Sequence, residues 1–560
     1  MLKEKLYAKK INSIKELLQK DIDKIMRMFE AMSIGKAEFS KTAQKLNNLL
    51  RPGYEVNGNT TLGGSPLGAM AYKTICTLNF LGNASNCSWL NLVISKSRLT
   101  KYLAEDAKKE VNKWMSECEE IITDVLCSDI SGFYGAAFIN WADWFIQGCS
   151  CLKIDWRSAD NDDGAIVFSN INMKDIFVKV ENWGEFFAIA HAYSLPSDEA
   201  YRKFGNDYQP PLAGEASAFV SNQQVEFIDL CMKVVKSEPW AKDITTPYVR
   251  LLIDKMKRKI MVVSEEKTFP FIVSRTLSAS HLPYGSSFLT VALSDLLRFN
   301  ELNKFEHLHL SYSANPVLLE SSEFNVEHLD LDSLKPGQII RGLDSNSLRP
   351  MLQPMTPTGD LSMLHNAKQM EYASLVDQLL AADIISPNSG QRTTVEVQRL
   401  MLQWSQRILP LVESRKFDFL TPLIRRVLYL LQETNQLPEF PEYIIDGVNN
   451  ENVIEKIGVV FGGQLKNMMQ QQPLNDLITF LNTASQLNLG DFIDAKKSLD
   501  DIATYLGISP ELVKTTEQVM EERQQQAQAM QQAKEEQEMQ ELRKTMALRQ
   551  MNGKNAMPAV

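Results

Sequence analysis

Pro283-Tyr-Gly-Ser-Ser-Phe-Leu-Thr-Val-Ala-Leu-Ser-Asp-Leu-Leu-Arg298 opens the stretch whose reading decides the fold. Behind Pro283-Tyr-Gly, the residues from Ser286 to about Tyr312 read as one helix of roughly 27 residues, about 40 Å long at 1.5 Å per residue. Its apolar residues (Phe288, Leu289, Leu293, Leu296, Leu297, Phe299, Leu302, Phe305 and Leu308) occupy much of the circumference. Its charges recur at every third position, Asp295, Arg298, Glu301 and Lys304, so the polar stripe drifts around the axis. A helix that is apolar on several sides needs several neighbours, which further copies of the chain in a ring could supply.

Pro316, Pro336, Pro350, Pro354 and Pro357 follow, with Lys335-Pro-Gly as a turn. That proline density rules out a long helix over residues 313–357 and leaves short strands and loops. A second helix is expected from Asp360, a good N-cap, to about Ala381, with Leu361, Leu364, Tyr372, Leu375, Val376, Leu379 and Leu380 apolar. Two long helices therefore flank a compact insert. Next comes the loop Asp383-Ile-Ile-Ser-Pro-Asn-Ser-Gly-Gln-Arg392. Thr393 and Glu396 then form a capping box, each side chain satisfying the other residue's free backbone amide. The helix they open runs toward Gln436 and contains Pro410 and Pro422, where kinks or breaks are expected.

Upstream, residues 1–50 carry Ile11, Ile14, Leu17, Leu18, Ile22 and Ile25 at helical spacing. Arg51-Pro-Gly-Tyr to Gly64-Ser-Pro is loop-like, and helices are expected over Leu67–Leu81 and Lys101–Cys127. Ser88-Trp-Leu-Asn-Leu-Val-Ile alternates as a strand does. From Leu152 to Val273 the texture becomes β-prone, with Ala165-Ile-Val-Phe, Asp175-Ile-Phe-Val-Lys-Val, Phe186-Phe-Ala-Ile-Ala and Lys259-Ile-Met-Val-Val. This predicts an α+β region with a meandering sheet. Pro438-Glu-Phe-Pro-Glu-Tyr-Ile-Ile and Ile457-Gly-Val-Val-Phe-Gly-Gly read as further strands, and Leu474–Leu487 and Phe492–Leu506 as short helices. Residues 518–541 hold nine Gln, a composition that buries no core by itself. The final residues read as disordered.

The chain has 560 residues and 44% apolar residues, which implies several domains or one core with long excursions. Its net charge of −10 argues against a simple nucleic-acid binder, though not against a protein that surrounds DNA without gripping it. Seven cysteines, at 76, 87, 118, 127, 149, 151 and 231, form no CxxC pair and suggest free thiols in a reducing cytoplasm. The N-terminal stretch is charged and amphipathic and reads as the helix of a mature protein. The most apolar run, FYGAAFINWADWFIQGCSC (133–151), contains Asn140 and Asp143. A charge at the bilayer centre costs about 2.5–3.5 kcal/mol, so the run reads as a helix buried in protein and no membrane segment is expected.

Catalytic patterns are missing: there is no phosphate-binding G-x-x-x-x-G-K-[ST], no G-x-S-x-G and no H-E-x-x-H. His307 and His309 would point to different faces of a helix, so neither is taken as a metal ligand. Asp162/Asp163 and Asp500/Asp501 suit surface or capping roles. Gly390-Gln391-Arg392 reads equally well as an ordinary loop before a capped helix and as a constriction where Arg392 touches a passing phosphate.

In their order and spacing these pieces resemble the portal (head-to-tail connector) proteins of T7-like short-tailed bacteriophages. Leu67-Gly-Ala to Ser88-Trp-Leu-Asn-Leu is similar to the family's early helix and Trp-bearing strand. Phe133-Tyr-Gly-Ala-Ala to Cys151-Leu-Lys-Ile is similar to its buried helix and following strand. Tyr284-Gly285-Ser-Ser resembles the start of its first stem helix. Gln391-Arg392-Thr-Thr-Val-Glu396-Val resembles the beginning of its kinked helix, with Thr394 where Ala is common. Thr421-Pro-Leu-Ile-Arg-Arg-Val-Leu, Leu437-Pro-Glu-Phe-Pro, Ala495-Lys-Lys to Leu506-Gly-Ile and the Gln/Met-rich tail continue in the family's order. Residues 155–270 and 313–357 carry no firm match.

The resemblance implies a mainly α fold with an α+β wing, assembled as a dodecameric ring at one capsid vertex. It divides the chain into a wing (1–284 and 394–470), stem helices (285–312 and 358–382), a clip (313–357), a tunnel loop (383–393), crown helices (471–545) and a disordered tail (546–560). It implies no enzyme and no cofactor, and a virion component assembled in the host cytoplasm. Its partners would be the large terminase, tail adaptor proteins, the major capsid and scaffolding proteins, and double-stranded DNA in the channel, with no membrane. Candidate channel residues are Arg392, Gln391, Arg298 and Lys304. A rival is another oligomeric virion protein, such as a tail or internal core component.

Overall fold

Three helices open the chain: α1 (Leu2–Lys20), α2 (Ile22–Gly35) and α3 (Ala37–Leu50). Their apolar residues recur at three and four, and Ile14, Leu18, Ile22, Ile25, Met26 and Phe29 are all buried. In the computed structural model the described residues are 2–51, 66–82, 90, 92–94, 105–157, 164–181, 184–204, 224–276, 282–315, 318–321, 337–340, 345–350, 357–378, 406–407, 410–411, 414–439 and 457–459, and beyond them 474, 477–484, 486, 497–499, 502, 539–540 and 544. The chain divides into two compact units, residues 1–465 and 466–560. In the second, the described pieces at 477–484 and 497–499 are helical, within the two short helices expected there.

Helix α4 (Pro66–Gly82), strand β1 (Leu92–Ile94) and helix α5 (Glu105–Cys127) follow. The apolar run becomes helix α6 (Phe133–Gln147), buried over most of its length. It is a core helix, as its two polar residues suggested. Asp143 accepts hydrogen bonds from Arg51 (2.7 Å), Asn170 (2.7 Å) and Gln147 (3.1 Å), and Asn140 accepts one from Ser150 (2.9 Å). Burial pushes the Asp143 carboxyl up, against the opposing pull of Arg51 and Asn170. Among the described residues no helix is long and apolar enough to cross a membrane.

The β-prone region forms two antiparallel sheets. β2 (Cys149–Arg157) pairs with β3 (Ala165–Ile171) on one side and with β9 (Phe271–Arg275) on the other. β4 (Ile176–Val180), β5 (Phe186–Pro196), β6 (Gln224–Lys233), β7 (Tyr248–Asp254) and β8 (Lys259–Glu266) form a five-stranded meander in chain order, with helix α7 (Ser197–Phe204) between β5 and β6. α1 closes the free β8 edge: the Gln19 amide accepts from Ile260 N–H and donates to the Arg258 carbonyl, both at 2.8 Å. Lys15 donates to the Met261 carbonyl at 2.6 Å. An edge satisfied in this way offers no template for another strand.

Helix α8 (Leu293–Ala314), strands β10 (Leu318–Ser321), β11 (Ile339–Ile340) and β12 (Ser345–Pro350), and helix α9 (Pro357–Gln378) come next. The insert forms a small sheet with β10 at its centre. Two helix starts differ from expectation. α8 begins at Leu293 after a 3-10 turn at Phe288–Thr290 rather than at Ser286, because Ser286 and Ser287 are pinned against Gly148. α9 begins at Pro357, where the fixed φ suits a first helical position, so Asp360 lies in the first turn and is no N-cap.

Residues 414–433 are helical, with a π-turn at Lys416–Leu420 leading into α10 (Thr421–Glu433). The kink expected at Pro422 takes this form, since the residue lacks the N–H that would reach residue 418 and its ring crowds that carbonyl. β13 (Ile457–Val459) pairs with the distant β1, confirming both strands. The loop over 52–65, the strand expected from Pro438, Gln391, Arg392, the Thr393/Glu396 capping box, the kink at Pro410's upstream side and the tail from 545 lie outside the described residues.

The two sheets are joined by buried charge. Asp229 on β6 accepts from Arg250 Nε (2.8 Å) and Nη2 (2.7 Å) on β7 and from Lys153 (3.1 Å) on β2. Arg250 also grips Asp155 on β2 at 2.8 Å. Burial alone would push the Asp229 carboxyl up, but the Arg250 hydrogen bonds and the charges of Arg250 and Lys153 outweigh it and hold the group below its usual value. Such a group contributes stability that is present above the unfolded-chain pKa, about 3.9, and lost as pH falls through the folded value. Asp229→Ala leaves Arg250 with Asp155 but removes the two hydrogen bonds it makes to the buried Asp229, so a loss of about 2 kcal/mol is expected at pH 7, with the gap to wild type narrowing below about pH 4. Urea denaturation at the two pH values measures both; an equal gap at each would refute the assignment.

Candidate functional site

Tyr284 and Gly285 carry the helix pair α8/α9 away from the sheets. Helix α6 ends at Gly148 in the left-handed conformation, φ +82°, and its carbonyl accepts from Thr276 N–H at 2.8 Å. Gly285 lies against both. A Cβ on it would stand 2.3 Å from the Thr276 carbonyl oxygen and 2.7 Å from that of Gly148, and a Cβ on Gly148 would stand 2.3 Å from Ser287 N. All of these are backbone atoms, so there is no room for a side chain. Gly285 N–H donates to Cys149 Sγ at 3.0 Å. Burial pushes the Cys149 thiol up to about 12, so it serves here as a packed acceptor and not as a nucleophile.

The flanking residues complete the root. The Tyr284 hydroxyl accepts from Val178 N–H (3.2 Å) and donates to the Ile176 carbonyl (3.5 Å), which closes the β4 edge of the large sheet. Its ring stacks on Phe39 of α3 at 4.8 Å. Ser287 accepts from Leu289 N–H at 3.0 Å and donates to the Phe145 carbonyl at 2.7 Å. Leu289, Ala292, Leu296 and Phe299 then bury one face of the helix beside Trp141, Trp144 and Phe145 of α6.

Beyond the root, α8 and α9 run antiparallel, because the contacts pair rising with falling numbers. Phe299 lies opposite Tyr372 at 6.2 Å, and Glu306 meets His365 (3.7 Å) and Lys368 (2.5 Å). The Lys368 hydrogen bond holds the Glu306 carboxyl below its usual value. Much apolar surface stays uncovered on this pair: Phe305 is 60% exposed, Met363 73% and Met370 75%. Arg298 and Lys304 are both exposed on α8. Six residues apart at about 100° each, they lie roughly 120° from one another around the axis. They therefore do not share one stripe along the helix.

Two buried arginines on the later helix were not anticipated. Arg415 lies over the rings of Trp141 (4.0 Å), Phe419 (4.4 Å) and Trp144 (5.0 Å) and donates to Asn140. Arg426 donates to Glu266 at 2.7 Å and to Thr268. The available signal was arginine inside an apolar helical run, which sequence alone does not distinguish from a solvated residue. Among the described residues no group of three or more His, Cys, Asp or Glu is placed to hold a metal ion. Cys118, Cys149, Cys151 and Cys231 are buried and form no disulfide.

The described residues thus form an α+β body that carries a partly uncovered antiparallel helix pair. Residues 82–513 match the bacteriophage head to tail connecting proteins, and the chain belongs to that family. It is also similar to a portal protein of Salmonella phage epsilon15, 25% identical over 261 residues, which cover 44% of this chain and 45% of that relative. The match thus spans about half the length of that relative.

The root makes a ranked prediction. Gly285→Ala forces backbone apart and is expected to cost about 3 kcal/mol, the upper range for overpacking. Tyr284→Phe leaves Val178 N–H without its acceptor and should cost about 1–2 kcal/mol. Denaturation midpoints of the two variants test the order, and a Gly285→Ala protein as stable as wild type would contradict the close approach.

Proposed function

We propose that this chain is the portal subunit of a short-tailed bacteriophage, forming a dodecameric ring at one capsid vertex through which DNA is packaged and later ejected. The observation that carries the reading is the family match over residues 82–513, and the uncovered apolar residues of the α8/α9 pair support it. In a ring, copies of the same helices on either side would bury Phe305, Met363 and Met370, which a lone subunit leaves in water.

On this reading residues 1–284 and 394–470 form the wing, 285–312 and 358–382 the stem, 313–357 the clip, 383–393 the tunnel loop, 471–545 the crown and 546–560 a disordered tail. The clip is where the large terminase docks during packaging and where tail adaptors follow, while capsid and scaffolding proteins surround the wing. The subunit assembles in the host cytoplasm and performs no catalysis; ATP hydrolysis belongs to the terminase. An acidic chain suits a conduit, because a polyanion must slide in both directions and deep electrostatic wells would stall it. Sparse basic rings then suffice to centre the duplex. Arg392 with Gln391 in the tunnel loop, and either Arg298 or Lys304 on the stem, are the candidates.

Class-averaged electron micrographs of the purified protein are expected to show a closed ring with an axial hole wide enough for duplex DNA. Compact monomers or dimers would sink the reading and favour a different virion component. Arg392→Ala should assemble normally yet package or retain less DNA. Wild-type values for both would remove Arg392 from the channel.

A further inference from the structure

Arg415 and Arg426 stand eleven residues apart on one helical segment. In an uninterrupted α-helix that spacing returns to within about 20° of the same direction, so both side chains would enter the same wall. They do not. Arg415 enters the space beside Trp141 and Trp144 of α6, and Arg426 meets Glu266 and Thr268 at the end of β8. Between them lies the π-turn Lys416–Leu420. A π-turn accommodates one extra residue, which turns everything after it by about 100° relative to everything before it.

The apolar residues divide at the same place. Leu411 belongs to the cluster that holds Trp141, Trp144, Leu46, Leu289, Leu296, Phe299 and Leu375. Phe419, Leu420, Leu423, Ile424 and Val427 belong to the cluster built on α5, β2 and β3. The π-turn is thus where the helix passes from one core to the other. Phe417, inside the turn, is 71% exposed, as expected of a residue that the change of register leaves facing outward.

Arg415 itself is 1% exposed, and its Nε and Nη1 find no hydrogen-bond acceptor among the described residues. It is held by three aromatic faces, by Asn140, and at longer range by Asp143 and Asp418. The Asn140 oxygen that accepts from Arg415 also accepts from Ser150 on β2, so the seat belongs to an ordered network. A flat guanidinium stacks between rings where an ammonium does not.

We infer that Arg415 and the π-turn Lys416–Leu420 form a register lock. The extra residue lets one helix seat two buried cations in two separate parts of the core, and Arg415 fixes the part of the helix before the turn to the Trp141/Trp144 wall. That wall shares its apolar cluster with the root of the α8/α9 pair, so the lock ties the two long helical segments to one surface. If the Gln391–Arg392 loop lies at a channel, as proposed above, the segment so held leads back to it; the experiment below does not need that reading.

Deletion of Phe417 in the full-length chain removes the extra residue, so the helix before the turn is rotated by about 100° relative to the helix after it and Arg415 leaves its seat. Hydrogen exchange should then quicken at least tenfold at the amides of Leu411, Ser414 and Arg415 while those of 424–431 stay within about threefold of wild type. Unchanged exchange on both sides would overturn the lock, and so would equal loss on both sides, which is the behaviour of a plain core deletion. Arg415→Lys keeps the charge but loses the stacking, and decides the matter if the deletion protein does not fold. It should give the same one-sided quickening to a smaller degree; wild-type exchange at positions 411, 414 and 415 in Arg415→Lys would overturn the proposal too.

Discussion

The backbone of Gly285 touches that of Gly148 and Thr276 closely enough that no side chain fits between them, and this contact decides where the long helix pair leaves the body. Three elements meet there: the end of α6, the end of β9 and the chain leading into α8. Each contributes backbone polar groups that must find partners, and they find them in one another, in the Cys149 sulfur and in the Ser287 hydroxyl. Tyr284 then spends its hydroxyl on the exposed edge of β4, so one residue both closes the sheet and anchors the helix. The direction of α8, and hence of everything carried on it, follows from this junction.

Charge buried in the body serves the same end. Lys153, Asp155, Asp229 and Arg250 join the two sheets, Arg426 fastens α10 to Glu266 at the end of β8, and Asp143 receives Arg51. Apolar residues of equal volume could match such pairs in stability. What charged pairs add is geometry, since each tolerates a narrow range of partner positions.

The helix pair shows the opposite economy. Its base is buried and its length is not, and the apolar residues that remain uncovered are large and flexible ones, among them Met363 and Met370. Such a surface makes sense when the covering atoms come from other copies. Its charged residues spiral around the helix, so no single stripe presents a strong field.

The spacing and runs of apolar residues were enough to locate the helical stretch of α1 to α3, helices α6 and α8 and the strands β1, β3, β4, β5, β8 and β13, because each element's burial pattern is written locally in its own residues. Asn140 and Asp143 identified α6 as a protein-buried helix, and Pro422 announced a break, since a missing amide is a property of one residue. The pairing of β1 with β13 was invisible, as was the closing of the β8 edge by Gln19: both join residues far apart in the chain. So was the role of Arg415, whose burial depends on two tryptophans of another helix. Gly148 and Gly285 are ordinary glycines in the sequence and become constraints when the fold brings their backbones together. The sequence by itself determined which segments are helix or strand and the order in which they come. The tertiary structure alone decided which of them touch, because contact distance, unlike periodicity, is a property of the folded chain.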